Sequence, residues 1–333
     1  MNAYQPFYTI PDLIKYKSNQ SKTSLLGNGF LNRKGSAMIV GPAGVGKSKF
    51  MQHLAMSMAL GLDFLDIKVN AKTRVLLIQA EDAIDDIAES LQGFFHHTVG
   101  GDMASLAGLE SNLFITTVDT LVGADFVKLV DQYCEVSKPD VVIIDPLVAF
   151  MGCDLVDQGA VTKFLRQDLG SIMHRHNCAL MCVHHTKRDK GGPMVERAFG
   201  GMEFSAFFRG IIDLCGDSTE YRNVRVRVTK RQRQLGLKDL LGNPIDSVNI
   251  KMGKDAVYWT KEDQPIMGVE SGAGGRPPKV PKAMVDETIA TAKAAGLTDS
   301  EIIKTVTEKH PYSKKQASRF VKEAAPTGKK KKG

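Results

Sequence analysis

The chain has 333 residues, of which 43% are hydrophobic and 24% are charged, and its formal net charge is +7. This is the composition of a globular protein with one full α/β domain and a smaller appendage, and the mildly basic balance permits an anionic partner without requiring one. The five cysteines form no CxxC pair, no apolar stretch reaches the length of a membrane span, and the N-terminus lacks a signal-peptide pattern. We therefore expect a cytoplasmic protein with reduced thiols and no membrane partner.

Short apolar runs alternate with amphipathic stretches from residue 36 to about residue 260. The first five runs predict strands at 37–40, 74–79, 113–117, 141–145 and 179–184, with helices between them at 47–60, 83–96, 123–136 and 160–176. Continuous Val, Ile and Leu runs separated by helices are typical of a parallel sheet covered on both faces. Four later runs lack intervening helices and predict an antiparallel edge extension, at 211–215, 222–230, 248–252 and 256–260.

The C-terminal part has a different texture. Residues 263–282 are rich in glycine and proline and predict a linker after a first domain at 1–262. Residues 283–325 predict a small module of three short helices, at 283–295, 298–309 and 313–324, and residues 326–333 form a basic tail. Two of these helices begin with a capping box, Thr298 with Glu301 and Ser313 with Gln316. The spacing of the last two helices permits a helix-turn-helix.

A phosphate-binding motif follows the first predicted strand and directly precedes a predicted helix. The pattern GxxxxGK[ST] lets backbone N–H groups surround phosphate oxygens, and its lysine lies at the positive end of the helix dipole. The serine hydroxyl that ends the motif is a typical Mg²⁺ ligand. The residues predicted to bind ATP are Gly41, Pro42, Ala43, Gly44, Val45, Gly46, Lys47 and Ser48, with the adjacent Lys49.

Acidic residues follow two later strands of the predicted sheet. Asp145 ends the run VVIID, where a Walker B carboxylate is expected to hold Mg²⁺ together with Ser48. Glu81 follows the strand at 74–79 and is our candidate for the catalytic group that activates water, with the adjacent Asp82 as the alternative. Because parallel strands end at the same sheet edge, these carboxylates are expected near the γ-phosphate.

GPAGVGKS, QAED, VVIIDP and HHTK occur in that order along the chain. Over residues 20–260 this order resembles the RecA-like ATPases related to the RepA-type plasmid hexameric helicases, within the wider DnaB-type replicative helicase group. The resemblance implies that Glu81 is the catalytic base. It also implies that a polar residue at the end of the strand after Walker B senses the γ-phosphate, and His185 is our choice, with His184 as the alternative. The His and Cys residues around 174–185 fit no zinc-ligand spacing.

The resemblance further implies that a neighbouring subunit supplies basic residues to the site from the end of a late strand. The segment 224–236 is similar to that region and offers Lys230, Arg231 and Arg233 as candidates for the catalytic finger. It departs from the Lys-x-Arg spacing of the replicative helicases, since Arg231 stands in the first place. The sequence does not decide which of the three residues is the finger. The alternative is that this segment is a charged strand exposed to solvent, without a catalytic role.

Nucleic acid is the partner that this resemblance implies. The loops at 147–160 and 186–203 would face a central channel, and the second carries cationic residues suited to a phosphate backbone, Lys187, Arg188, Lys190 and Arg197. The C-terminal module is expected to bind DNA or to dock a primase, initiator or other replication protein.

The sequence thus predicts an ATP-hydrolysing, Mg²⁺-dependent hexameric ring that moves on single-stranded DNA as a replicative-type helicase of a plasmid, phage or mobile element. The alternatives are a recombination or regulatory ATPase without unwinding activity and a helicase-loading or scaffold ATPase.

Overall fold

The computed structural model describes residues 10–11, 23–186, 202–216, 223–239, 242–253, 258–262, 282–309, 318 and 320–321. Internal contacts divide the chain into two compact units, Met1–Gly272 and Ala273–Gly333. Each unit is described separately below.

The first unit is built on a nine-stranded mixed sheet. Its strands in chain order are β3 (Ser36–Gly41), β4 (Val75–Gln79), β5 (Leu113–Thr117), β6 (Val141–Asp145), β7 (Ala179–His185), β8 (Gly210–Gly216), β9 (Asn223–Lys230), β10 (Ser247–Met252) and β11 (Trp259–Glu262). A separate hairpin of β1 (Ser24–Leu26) and β2 (Leu31–Asn32) precedes them. The spatial order is β11-β10-β9-β8-β3-β7-β6-β4-β5, and the strands from β8 to β5 run parallel while β9, β10 and β11 pair antiparallel. The predicted parallel α/β core with an antiparallel extension is confirmed.

Helices cover both faces of this sheet. They are α1 (Lys47–Leu60), α2 (Ile84–Val99), α3 (Met103–Asn112), α4 (Gly123–Ser137), α5 (Gln158–Thr162), α6 (Gly170–His176), α7 (Met202–Phe207) and α8 (Gln232–Leu235). A 3-10 turn at Leu147–Phe150 follows β6, and a π-helical stretch at Lys163–Leu169 joins α5 to α6. Within the described residues, no helix is both long enough and apolar enough to cross a bilayer.

Alternation along the strands explains the two cores. On β3, Ala37 and Ile39 face a core that includes Phe50 and Leu54 of α1, whereas Met38 and Val40 face a second core. The second core includes apolar residues of α4 and α6, among them Phe126 and Ile172. Both sides of the central strands are therefore buried, as their unbroken apolar sequences indicate.

The register brings the functional strand ends together. Gly41 of β3 pairs with His185 of β7, and Gln79 of β4 pairs with Asp145 of β6. The strand β7 lies between β3 and β6, so the phosphate loop and the Walker B candidate are separated by one strand. The predicted site residues of β3, β4, β6 and β7 consequently lie at one edge, the carboxyl edge of the sheet.

The elements that the sequence did not predict are short or weakly patterned. The β1–β2 hairpin has strands of three and two residues. Helix α3 buries none of its residues, so it has no apolar stripe to reveal a helical period. The predicted strand at 256–260 instead spans Trp259–Glu262 in the described residues.

The second unit contains α9 (Lys282–Ala294) and α10 (Asp299–Lys309), and the described residues 318, 320 and 321 are also helical. Ile289, Ile302, Val306 and Val321 pack into a small apolar core with Ala292. Glu301 reaches back to accept hydrogen bonds from the N–H (2.8 Å) and the hydroxyl (2.6 Å) of Thr298. This return of Glu301 to the Thr298 N–H is the contact that the predicted capping box requires of its third residue. The second predicted box, at 313–316, lies outside the described residues.

Candidate nucleotide-binding site

The phosphate loop connects the end of β3 to the start of α1, which begins at Lys47. Gly44 and Gly46 have φ angles of +78° and +91°, a region that residues with a Cβ rarely adopt. A Cβ on Gly46 would lie 2.7 Å from Cζ2 of Trp259, a buried residue of β11. Glycine is therefore required at this position both by its backbone angle and by the close packing of the indole.

Lys47 folds back over its own loop. Its Nζ donates to the carbonyl oxygen of Pro42 (2.8 Å) and contacts Nδ1 of His185 at 3.1 Å. Burial lowers the pKa of Lys47 to about 8, although the nearby carboxylates of Asp145 and Glu81 partly oppose that effect. An ammonium group so poorly solvated is well suited to bind an anion such as a phosphate oxygen.

The two histidines at the end of β7 have different environments. His184 is fully buried and stacks on Phe204 with ring centroids 4.5 Å apart, whereas His185 is partly exposed beside Lys47. An ammonium group only donates, so Nδ1 of His185 accepts, which leaves the proton of the neutral ring on Nε2. That nitrogen lies 3.9 Å from Oε2 of Glu81. Burial, and then the charge of Lys47, lower the pKa of His185 and favour this neutral form.

Asp145 and Ser48 meet behind the phosphate loop. Asp145 is 3% exposed, and its carboxylate is hydrogen-bonded by the Ser48 hydroxyl and by Nε2 of Gln79. Burial raises the pKa of Asp145 to about 6, and the charge of Asp82 adds to that effect, while the two hydrogen bonds and Lys47 oppose it. A hydroxyl and a carboxylate side by side form the oxygen-only donor set that Mg²⁺ prefers. Ser48 and Asp145 therefore fit a metal that neutralises charge on the β- and γ-phosphates.

The structure separates Glu81 from Asp82. The side chain of Glu81 is 61% exposed and lies on the side of Lys47 and His185. Asp82 is occupied: Oδ2 accepts from Nε2 of Gln52 at 2.8 Å and lies 3.5 Å from Nζ of Lys49. Of the two acids, Glu81 is the one with a carboxylate available to a water molecule.

A pair of buried glutamines, Gln52 and Gln79, was not predicted as part of this site. Each is 1% exposed, and they hydrogen-bond to each other and to the carboxylates of Asp82 and Asp145. Gln79 follows the apolar run of β4, and Gln52 lies four residues after Ser48 on α1. Polar residues that end a strand and continue a phosphate-loop helix are a signal in the sequence, although no motif includes them.

A family model described as an AAA domain matches residues 8–191, which is more than half of the chain. The chain belongs to the AAA-domain family. The matched residues include the phosphate loop, Glu81, Asp145 and the histidine pair, so the site lies in a P-loop ATPase domain. No curated protein matches the sequence closely enough to add a nearer relative.

The basic residues of the AAA-domain chain that were predicted as fingers lie at the other edge of the sheet. Lys230 pairs with Ile211 at the start of β8, whereas the carboxyl edge of β8 is at Gly216, opposite Val224. Strand β9 runs antiparallel to the central strands, which carries its C-terminal end away from the phosphate loop.

Two of the three candidates use their charged groups in hydrogen bonds within the described part of the chain. Nζ of Lys230 donates to the carbonyls of Ser205 (2.6 Å) and Phe208 (2.9 Å). Nη1 of Arg231 donates to the carbonyl of Gly29 at 2.9 Å. Arg233, on α8, is exposed and makes no hydrogen bond or ion pair with another described residue.

Two other predictions concern loops. The segment 147–160 is a 3-10 turn, an irregular stretch and the start of α5, with Leu147 and Phe150 buried and Val156 exposed. The predicted DNA-binding residues Lys187, Arg188, Lys190 and Arg197 lie outside the described residues.

Proposed function

We propose that this AAA-domain ATPase is a ring motor that hydrolyses ATP to translocate on single-stranded DNA, as a replicative-type helicase of a plasmid, phage or mobile element. In this proposal the ring is a hexamer and ATP binds between neighbouring subunits. Lys47 contacts the phosphates, Ser48 and Asp145 hold Mg²⁺, Glu81 activates water and His185 senses the γ-phosphate.

The position of Arg233 is the observation that carries the ring proposal. It lies beyond the end of β9, at the sheet edge opposite to the phosphate loop of its own chain. Its guanidinium is exposed and has no described partner, unlike the charged groups of Lys230 and Arg231. A catalytic arginine so placed would act on the nucleotide bound by a second copy, where it stabilises charge on the transferring phosphoryl group.

His185 supports the coupling of hydrolysis to movement. It contacts Lys47 and faces Glu81, so it lies among the groups that the γ-phosphate would touch. It also directly precedes the loop predicted at 186–203, whose lysines and arginines are suited to a phosphate backbone. Loss of the γ-phosphate would change the contacts of His185 and, through the chain, the start of that segment.

The C-terminal unit is proposed to bind DNA or a replication protein such as a primase or initiator. Its apolar core is small, and residues 313–333 carry eight lysines or arginines against the single acid Glu323. A basic segment attached to a small helical unit fits an anionic partner.

DNA-stimulated hydrolysis and fork unwinding test the motor proposal together. We expect single-stranded DNA to raise ATP turnover of the wild type and ATP to drive unwinding, and Lys47→Ala to abolish both. Stimulated hydrolysis without unwinding would favour the recombination or regulatory ATPase instead. An ATP turnover rate that is the same with and without DNA would refute the motor proposal and favour the loading or scaffold role.

The catalytic base is tested by Glu81→Gln and Asp82→Asn. We expect Glu81→Gln to bind ATP normally and to lose about 10²–10⁴-fold in turnover, because it retains its shape but cannot accept a proton. Asp82→Asn should lose less, since its carboxylate is bound to Gln52 and Lys49. Equal losses in turnover would contradict the assignment of Glu81.

Arg233 is tested by mixing subunits. Arg233→Ala and Glu81→Gln proteins should each be inactive, and a mixture should recover part of the activity because some interfaces then contain both intact residues. Gln234→Ala, an exposed neighbour on the same short helix, is the matched control and should remain active. Undiminished activity of Arg233→Ala alone would remove this residue from the role.

A further inference from the structure

The buried amides of Gln79 and Gln52 lie directly beside the proposed metal ligands. Gln79 ends β4 and is in register with Asp145 of β6, so their side chains are neighbours on adjacent strands. Gln52 is about one turn beyond Ser48 on α1. Burying two amides next to carboxylates is costly unless their hydrogen bonds are satisfied, so their arrangement is informative.

Four hydrogen bonds link the two amides to each other and to the carboxylates, and among the described residues the one amide atom of the pair without a partner is the buried Oε1 of Gln52. Nε2 of Gln79 donates to Oδ2 of Asp145 (3.4 Å) and to Oδ2 of Asp82 (3.3 Å). Its Oε1 accepts from Nε2 of Gln52 (3.1 Å), which also donates to Oδ2 of Asp82 (2.8 Å). An amide nitrogen has two hydrogens, so the donors of both glutamines are fully used. If the Gln79 amide turned over, its oxygen would face two carboxylates, and electrostatic repulsion therefore fixes its orientation.

Gln79 therefore links two carboxylates that serve different parts of the site. Asp145 carries the proposed metal contact, and Asp82 anchors the segment that carries Glu81. We propose that Gln79 is a positioning residue that holds the Asp145 carboxylate for Mg²⁺ and fixes its distance from the Glu81 segment. This inference rests on the ATP-binding part of the proposed function and does not depend on DNA.

A substitution can separate the packing contribution of Gln79 from its hydrogen bonds. Methionine has nearly the volume of glutamine but no N–H donor, so Gln79→Met removes the links to Asp145 and Asp82 while keeping the packing. Leu77→Met is the matched control, because Leu77 is also buried on β4 and has no polar role. A packing defect in β4 would affect both variants, whereas a positioning defect would affect only Gln79→Met.

The experiment measures the affinity of ATPγS by calorimetry, first in EDTA and then over a range of Mg²⁺ concentrations. We expect Gln79→Met to keep the wild-type affinity in EDTA, which also shows that it is folded. The Mg²⁺ midpoint is the Mg²⁺ concentration that gives half of the metal-dependent gain in ATPγS affinity. It should rise about ten- to a hundredfold in Gln79→Met, as is typical when a group that orients a metal ligand is removed. An unchanged Mg²⁺ midpoint would overturn the proposal.

Gln52→Met is a second test, and it also covers the case in which Gln79→Met does not fold. Among the described residues Gln52 donates to Gln79 and Asp82 and not to Asp145, so its loss should shift the Mg²⁺ midpoint in the same direction but by a smaller factor. No shift in this variant, or one larger than that of Gln79→Met, would contradict a role exerted through Gln79. Because no DNA is present, failure of the motor proposal would leave these midpoints unaffected.

Discussion

Replacing Asp145 by asparagine should stabilise the first unit when nucleotide and metal are absent. Burial raises the pKa of this carboxyl from its usual 3.8 to about 6, so its ionised form is less stable in the folded protein. The difference of about two pH units corresponds to a cost of about 3 kcal/mol at pH 7, which the neutral asparagine avoids. For a unit of this size we expect the melting midpoint to rise by up to roughly 5–10 °C.

The pH dependence of this gain follows from the direction of the shift. Because the folded pKa is raised, the cost is fully present above about pH 6 and shrinks as the pH falls through the range down to 3.8, below which Asp145 is mostly protonated in both states. The advantage of Asp145→Asn in EDTA should therefore shrink over that range. Thermal unfolding between pH 4.5 and pH 7.5 measures it.

Asp213→Asn is the matched control, because Asp213 is also a buried acid but lies 3.5 Å from the guanidinium of Arg227. Removing its charge should destabilise the unit, since a largely buried arginine then loses its ion pair. Saturating Mg²⁺ and ADP should make the wild type more stable than Asp145→Asn. At a ligand concentration one hundred times Kd the wild type gains about 3 kcal/mol of stability, whereas the variant binds the metal poorly and gains much less. An Asp145→Asn protein that is no more stable than wild type in EDTA at pH 7.5 would refute the reasoning.

Two further predictions concern the phosphate-loop glycines and the C-terminal core. Gly46→Ala should lose nucleotide binding and stability, because its Cβ would meet Trp259 at 2.7 Å. Gly44→Ala has no atom within 4 Å of the added Cβ and should cost only about 1–2 kcal/mol of backbone strain. Thermal melting and nucleotide titration compare the two variants, and equal losses in both would contradict the prediction. Ile302→Ala should destabilise the second unit by about 2–5 kcal/mol while ATP turnover without DNA stays normal, and helical circular dichroism together with an ATPase assay would detect the opposite result.

The sequence predicts the central fold well because its signals are local. The strand VVIID and the helix after the phosphate loop occupy the predicted residues, 141–145 and 47–60. Continuous apolar runs and a glycine-rich turn are sufficient to identify both elements. Helix α3 escapes prediction because it buries none of its side chains and so has no periodic stripe.

The contacts of the site depend on register and could not be predicted in the same way. Our preference for Glu81 over Asp82 rests on a contact of Gln52, which lies about thirty residues earlier and reaches Asp82 because α1 packs beside β4. Likewise, adjacent histidines on a strand point to opposite faces, and only the folded sheet shows which one meets Lys47.

The packing of Trp259 against Gly46 also gives the molecule an internal optical reporter. The chain contains one tryptophan, so all of its indole emission comes from a ring that is 2% exposed and touches the phosphate loop. Any rearrangement of that loop on binding nucleotide would change the surroundings of the ring. The wavelength and intensity of the tryptophan emission would then report nucleotide occupancy in real time, without an added dye and without a substitution.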